Sequence, residues 1–264
     1  MKKIFALLFA SMMILSLGAC GRDSNRAVEI ATPGDLDAQG LRIGTQLGST
    51  GHAFADENFV NGIVMAYDSN VDVIQALLSG DVDAVIMDSE PARHFVAQNE
   101  DRLRQLDELL TKEDYGIALP PGSPYTALFN EAIQTLQENG TLYNLIAYWV
   151  LEDSTATRYT SPEGTSHPNG TLRMGTSADF PPFEFWEGNE VVGLEPDIAR
   201  AIGDLLGYEI EILDMDFATI ILAVQTGQVD FGMAGMTITP ERLEQVDFTQ
   251  SHFLSGQSVI VRIA

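Results

Sequence analysis

Nine residues near the end of the chain, Ala234–Arg242, read A-G-M-T-I-T-P-E-R and bring together a glycine, two hydroxyls, a proline and a guanidinium. Thr239 followed by Pro240 predicts a helix start: the hydroxyl caps, and proline fits the first helical position, where an N–H would have no partner. Free N–H groups and the positive end of the new helix then face outward beside Arg242. That combination suits a small anion such as a carboxylate. Other polar residues end apolar runs. Gln46-Leu47-Gly48-Ser49-Thr50-Gly51 follows Leu41–Thr45, and Asp88 ends Val82–Met87. A carboxylate at a buried strand end needs a cation or donors to offset its desolvation. The structural alternatives are a plain helix N-cap for Asp88, ahead of Ser89-Glu90-Pro91, and a solvated helix charge for Arg242.

Other chemistry is poorly supported. His52, His94, His167 and His252 lack ligand spacing, so no metal and no cofactor are expected. Glu184 and Asp179 could act as acid or base, but no paired arrangement is visible, so the chain is not expected to be an enzyme. The formal charge of −24 over 264 residues argues against nucleic acid or anionic membrane as the main partner.

The first residues carry an address. Lys2 and Lys3 precede the apolar run Ile4–Leu17, and Leu17-Gly18-Ala19-Cys20 looks like a bacterial lipoprotein cleavage box. Residues 1–19 are therefore expected to be a signal peptide, with Cys20, the only cysteine, lipid-modified and residues 20–27 a tether. The expected location is extracytoplasmic, with the membrane touched only through the N-terminal lipid.

The elements that must position these groups alternate. Strand-like Leu41–Thr45, Ile63–Tyr67 and Val82–Met87 are separated by helix-like stretches from about His52 and over Val71–Leu78, and Glu90–Gln98 follows. This rhythm predicts an α/β fold with a mostly parallel sheet. Tyr115–Leu119 reads as a strand, and two amphipathic helices are expected at about Tyr125–Glu138 and Leu142–Val150. Glu152–Gly170 has no periodicity and reads as a linker, long for a loop within one domain. Then the chain begins again. Leu172-Arg173-Met174-Gly175-Thr176 echoes Leu41-Arg42-Ile43-Gly44-Thr45, and Gly227-Gln228-Val229-Asp230 echoes Gly80-Asp81-Val82-Asp83. Two α/β lobes of one plan follow. Because ligands sit beyond the carboxyl ends of strands in such sheets, Gln46–Thr50, Asp88, Ser177–Phe183 and Ala234–Thr239 are expected to face a common cleft.

The segments L-R-M-G-T-S-A-D-F-P-P-F-E-F, A-G-M-T-I-T-P-E-R-L-E-Q-V-D-F-T, L-R-I-G-T-Q-L-G-S-T-G and G-D-V-D-A-V-I-M-D resemble the polar amino-acid branch of bacterial extracellular solute-binding proteins. These are the capture subunits of ABC importers, similar to glutamine-binding protein. The resemblance covers nearly all of the chain after the tether, except the linker. It implies a periplasmic-binding-protein type II-like fold, two α/β lobes joined by a hinge with the ligand cleft between them.

The order of the segments departs from that family. The family's second half, about Val28–Val150, precedes its first half, Leu172–Ala264, which resembles a circular permutation. Original termini lying close together on one lobe make such an exchange cheap. The expected division is 28–115 for the family's second lobe, 116–150 with 171–264 for its first, and 151–170 joining the original ends. One interlobe crossing is expected near Tyr115–Pro120. The other, cut by the new ends, would be rebuilt by Val259–Ile263 beside Val28–Ala31.

The resemblance also implies roles. Arg242 would hold a ligand α-carboxylate with Thr237 and the backbone N–H groups around Gly235. Thr50, with Ser49 in the same turn, would reach that carboxylate from the other lobe. Asp88 would accept the α-ammonium. Phe180 and Phe217 would flank the side chain, and Gln46, Met87, Ser177 and Asp179 would line its pocket. Ser177 stands where several relatives carry aspartate, which favours a neutral ligand, with glutamine first, while Asp179 keeps a cationic one in play. The expected function is capture of a free amino acid by hinge closure and delivery, as a monomer, to an ABC permease. The alternatives are a dehydratase-like cleft enzyme on the same fold and an amino-acid sensor without transport.

Overall fold

The computed structural model describes residues 30–263. The signal peptide, Cys20, the tether and the start of Val28–Ala31 lie outside the described residues. Among the described residues, no helix is long and apolar enough to cross a membrane.

Two five-stranded sheets form the two lobes. In the first, the order is Ile63–Tyr67, Arg42–Gln46, Ala84–Asp88, Gln257–Arg262, Leu103–Gln105. The first three strands are parallel, and Gln257–Arg262 runs antiparallel to both neighbours. In the second, the order is Glu209–Asp214, Thr171–Thr176, Phe231–Gly232, Ala118–Leu119, Asp247–Phe248. Again three strands are parallel and the fourth is antiparallel. Each sheet thus takes its antiparallel strand from the other half of the chain. The helices Thr50–Asn58, Asn70–Ser79 and Ser89–Ala97 accompany the first sheet. Tyr125–Glu138, Thr141–Trp149, Leu194–Leu206 and Ile220–Thr226 accompany the second.

The repeated motifs have a common physical basis. Arg42 donates from its backbone N–H and Nε to Asp83 Oδ2 and from Nη2 to Oδ1, at 2.7–3.0 Å. Arg173 makes the same three bonds to Asp230, also at 2.7–3.0 Å. In each lobe the pair ties the first strand to the entry of the third. The glycine two residues after each arginine lets an apolar wall approach. A Cβ on Gly44 would meet Val82 at 3.2 Å, and one on Gly175 would meet Val229 at 3.2 Å.

Two expectations need correction. Val259–Ile263 is expected beside Val28–Ala31, whose first two residues lie outside the described ones; its residues 259–262 instead belong to Gln257–Arg262, which pairs with Ala84–Asp88 and Leu103–Gln105. Residues 257–262 therefore lie in the first sheet and not in the lobe of 171–264. Second, both crossings are unbroken. Glu113–Tyr115 leads to Ala118–Leu119, Phe253–Ser255 leads to Gln257–Arg262, and the two crossing strands pair antiparallel as a hinge. A fully buried five-residue run such as Gln257–Val261 fits the middle of a sheet better than a repaired edge.

The stretch 151–170 is irregular but firmly seated. Its Tyr159 N–H donates to Asp197 (3.1 Å) and its hydroxyl to Asp204 (2.8 Å), while His167 bonds Asp204 at 2.8 Å. Asp197, buried in Leu194–Leu206, also accepts from Trp149 Nε1 at 2.9 Å. The stretch therefore straps the preceding helix to Leu194–Leu206.

Candidate functional site

A cleft between the lobes is lined by Gln46, Ser49, Thr50, Asn70 and Asp88 from one side. Ser177, Phe180, Glu184, Phe217, Ala234, Gly235, Thr237 and Arg242 line the other. Ten of the twelve expected ligand residues are thereby brought together, and Asp179 lies beside the cleft, bonded to Asn70. Met87 does not face the cleft. On a strand successive side chains alternate, so with Asp88 turned to the cleft, Met87 packs into the core with Val73, Ile74 and Phe95.

Arg242 follows Thr239 and Pro240 as expected. Thr239 Oγ1 accepts from the Arg242 N–H at 3.3 Å, and the helix is Pro240–Leu243. One turn gives little dipole, so the attraction for an anion rests on the guanidinium. Arg242 is 8% exposed, and its guanidinium sits 5.4 Å from the Phe217 ring centre and donates to Thr237 O (2.8 Å) and to Gly48 O of the other lobe (3.1 Å). Burial lowers its pKa, and the carboxylates of Glu113 and Asp88 work against that fall.

Gly235 has φ +57°, and a Cβ there would meet Phe180 at 2.5 Å. The glycine allows Phe180 to close over the turn, where it stacks on Phe183. The Gly235 N–H, however, donates to buried Glu195 (2.9 Å), so it is not a free donor for a ligand as the sequence implied. Ser49 is also occupied: its hydroxyl accepts from His52 N–H at 3.0 Å and donates to Gln46 O at 2.8 Å, capping Thr50–Asn58.

Asp88 stands at the N-cap of Ser89–Ala97 without making a capping bond. Its carboxylate instead accepts from Tyr115 Oη, by a short hydrogen bond, and from Gln257 Nε2 at 2.8 Å. Burial, and then the neighbouring Glu113 carboxylate, push Asp88 up to about 7. Among the described residues it has no cation bonded to it, which is the state an ammonium would complete.

Four groups escaped the sequence reading. Glu113, from the hinge, accepts from Thr50 (2.8 Å) and Thr237 (2.5 Å). Asn70 donates from its backbone N–H to Asp179 at 2.6 Å, joining the lobes at the start of Asn70–Ser79. Buried Glu195 pairs with buried His252 at 3.0 Å. Glu184, weighed only as an acid or base, is fully buried, and neither of its oxygens finds a donor among the described residues. Burial, then the Glu195 carboxylate and then Asp179, hold it well above the usual carboxylate range. The Gln46 amide nitrogen is likewise unpartnered. Among the described residues, no cluster of His, Cys, Asp and Glu is arranged to hold a metal.

Two α/β lobes on a paired-strand hinge thus place a cation and a carboxylate on opposite sides of one cleft. Residues 172–264 match the bacterial extracellular solute-binding proteins, family 3. The chain is similar to that family over this segment, and to several curated amino-acid-binding proteins. It is 43% identical over 100 residues to the arginine-binding extracellular protein ArtP of Bacillus subtilis (strain 168), covering 38% of this chain and 39% of that protein. It is 29% identical over 120 residues to the L-cystine-binding protein TcyJ of Escherichia coli (strain K12), covering 45% of each. Among solved structures, the arginine-bound form of domain 1 from TmArgBP is 38% identical, with 36% of this chain and 81% of that one covered and a TM-score of 0.31. The aligned stretches span 29–39% of the first three curated relatives.

Proposed function

We propose that the chain is a binding protein, not an enzyme, that captures one free amino acid between its lobes and delivers it to an ABC permease. The observation that carries this reading is the opposition of Arg242 and Asp88 across the cleft. A zwitterion supplies a carboxylate to the first and an ammonium to the second, and only approach of the lobes satisfies both. Lipid attachment at Cys20, an extracytoplasmic location and a monomeric state accompany this reading. So does a circular permutation, supported by the family match falling at the chain's end, on residues 172–264.

The cleft favours a cationic side chain over the glutamine expected from Ser177. Asp88, Glu113, Asp179 and Glu184 stand in or beside the cleft against Arg242 alone, with Glu195 and His252 beneath the turn. A guanidinium or ammonium beside Glu184 would give its unpartnered oxygens donors and favour its ionised form. Several relatives are named for arginine binding, in agreement with this charge balance.

A thermal-shift panel of the twenty amino acids tests the proposal. Ligand at 100 times its Kd adds about 2.7 kcal/mol of stability, which at ~2–4 °C per kcal/mol is a rise of several degrees. Arginine or lysine is expected to give the largest shift, and a panel without response would overturn the reading. Glu184→Gln is expected to weaken arginine by roughly 10–100-fold, leaving glutamine unchanged or improved. Equal weakening of both would remove Glu184 from the specificity pocket.

A further inference from the structure

Glu113, on the hinge strand Glu113–Tyr115, is buried and bonded to hydroxyls of both lobes. Thr50 Oγ1 donates to Glu113 Oε2 at 2.8 Å, and Thr237 Oγ1 donates to the same oxygen at 2.5 Å. The other oxygen accepts from Thr111 Oγ1 at 2.7 Å, and Gln257 Nε2 lies 3.4 Å from Oε2. The threonine donors come from the two sides of the cleft, so these bonds coexist only with the lobes together.

A hydroxyl has one proton and two lone pairs. Once Thr50 and Thr237 give their protons to Glu113, they have none left for a ligand carboxylate. Thr237 keeps both lone pairs. Thr50 keeps one, because Gln257 Nε2 donates to it at 3.1 Å. Both hydroxyls donate to the same carboxyl oxygen, Oε2, which has lone pairs for both.

We propose that Glu113 is a positioning residue that sets the polarity of the ligand site. By drawing the protons of Thr50 and Thr237 to itself, it turns both oxygens into acceptors for the ligand's α-ammonium, alongside Asp88. The α-carboxylate is then left to Arg242 and to backbone N–H groups at Thr50 and Thr237. This rests on the reading of the cleft as an amino-acid site and adds a residue and a direction to it. It also reverses the role that the sequence implied for the two hydroxyls.

The test compares arginine with 5-guanidinopentanoate, which keeps the carboxylate and guanidinium and lacks the α-ammonium, by calorimetric titration of the full chain. Glu113→Ala is expected to weaken arginine about 30-fold, while the amine-free analogue holds or improves because the released hydroxyls can donate to its carboxylate. Glu113→Gln, whose amide oxygen can still accept both threonine protons, is expected to recover most of the preference for arginine. Thr237→Val keeps the side chain's shape and serves if Glu113→Ala does not fold: it should weaken arginine and spare the analogue. Equal losses for both ligands in Glu113→Ala or Thr237→Val, or unchanged arginine binding, would overturn the inference. A wild type that binds neither ligand would overturn the functional reading and this inference with it.

Discussion

Arg242→Ala is expected to lower affinity for the amino acid by about 100-fold or more, since removing one member of a buried charge pair costs about 2–5 kcal/mol. The loss has two sources. The guanidinium is the one cation lining the described cleft, so the ligand carboxylate is left desolvated without a partner. It is also a closure contact, donating to Thr237 O on its own lobe and to Gly48 O on the other. Arg242→Lys retains charge but not the fork that reaches both carbonyls, so it is expected to recover only a small part of the affinity. The fold should survive, because the short helix Pro240–Leu243 keeps its Thr239 cap and Pro240. Calorimetry for affinity and a ligand-free melt for stability separate the two effects. Unchanged affinity in Arg242→Ala would remove Arg242 from the site.

Asp88→Asn is expected to separate binding from stability even more sharply. Ligand binding should fall by about 100-fold or more, because an amide cannot replace a carboxylate opposite an ammonium. The ligand-free protein should nevertheless become more stable above neutral pH. Burial and Glu113 raise Asp88 from 3.8 to about 7, so between those values the folded state holds a proton that the unfolded state has lost. Stability from this group is therefore full below about pH 4 and declines as pH rises to about 7. The shift corresponds to a cost on the order of 4 kcal/mol at high pH, which asparagine avoids. Asp179 and Glu184 are raised as well and act in the same direction, so the variant's melting temperature should fall less steeply with pH without becoming flat. The ligand needs ionised Asp88, so wild-type affinity should weaken toward tenfold per pH unit on acidification below about 7. Melting curves from pH 5 to 8.5, with and without ligand, check both signs. A ligand-free Asp88→Asn protein less stable than wild type at pH 8 would contradict the account.

The elements were legible in the sequence wherever a local signal was strong. The Arg42–Asp83 and Arg173–Asp230 pairs were visible as two echoes, because each pair joins adjacent parallel strands in an identical way. Thr239-Pro240 marked its helix start. The cleft walls were legible because ligand groups fall at strand ends, a topological rule that needs no coordinates.

The remainder depended on distant partners. Met87 and Asp88 are neighbours on one strand, and only the sheet's orientation decides which of them faces the cleft. Glu113 lies in a short polar segment without periodicity, and its partners are 63 and 124 residues away. Glu195 sits in the first turn of a helix, where an acidic residue reads as a dipole partner, although it holds the Gly235 N–H and His252. Val259–Ile263 reads as rebuilding a crossing, because nothing local tells which sheet receives the run.

The contacts between lobes describe a closed clamp. Arg242 to Gly48, Asn70 to Asp179, and Arg93 Nη2 to Val150 O at 2.8 Å all cross the cleft. The central claim is that this closure is selected by a molecule carrying an α-carboxylate, an α-ammonium and a cationic side chain together. Calorimetric titration of the full chain at pH 8 with arginine, and with agmatine, which lacks only the carboxylate, tests it most directly. The account predicts one arginine per chain and at least a 100-fold weaker response to agmatine, from the loss of the charged pair with Arg242. Equal binding of arginine and agmatine, or heat from neither, would contradict it.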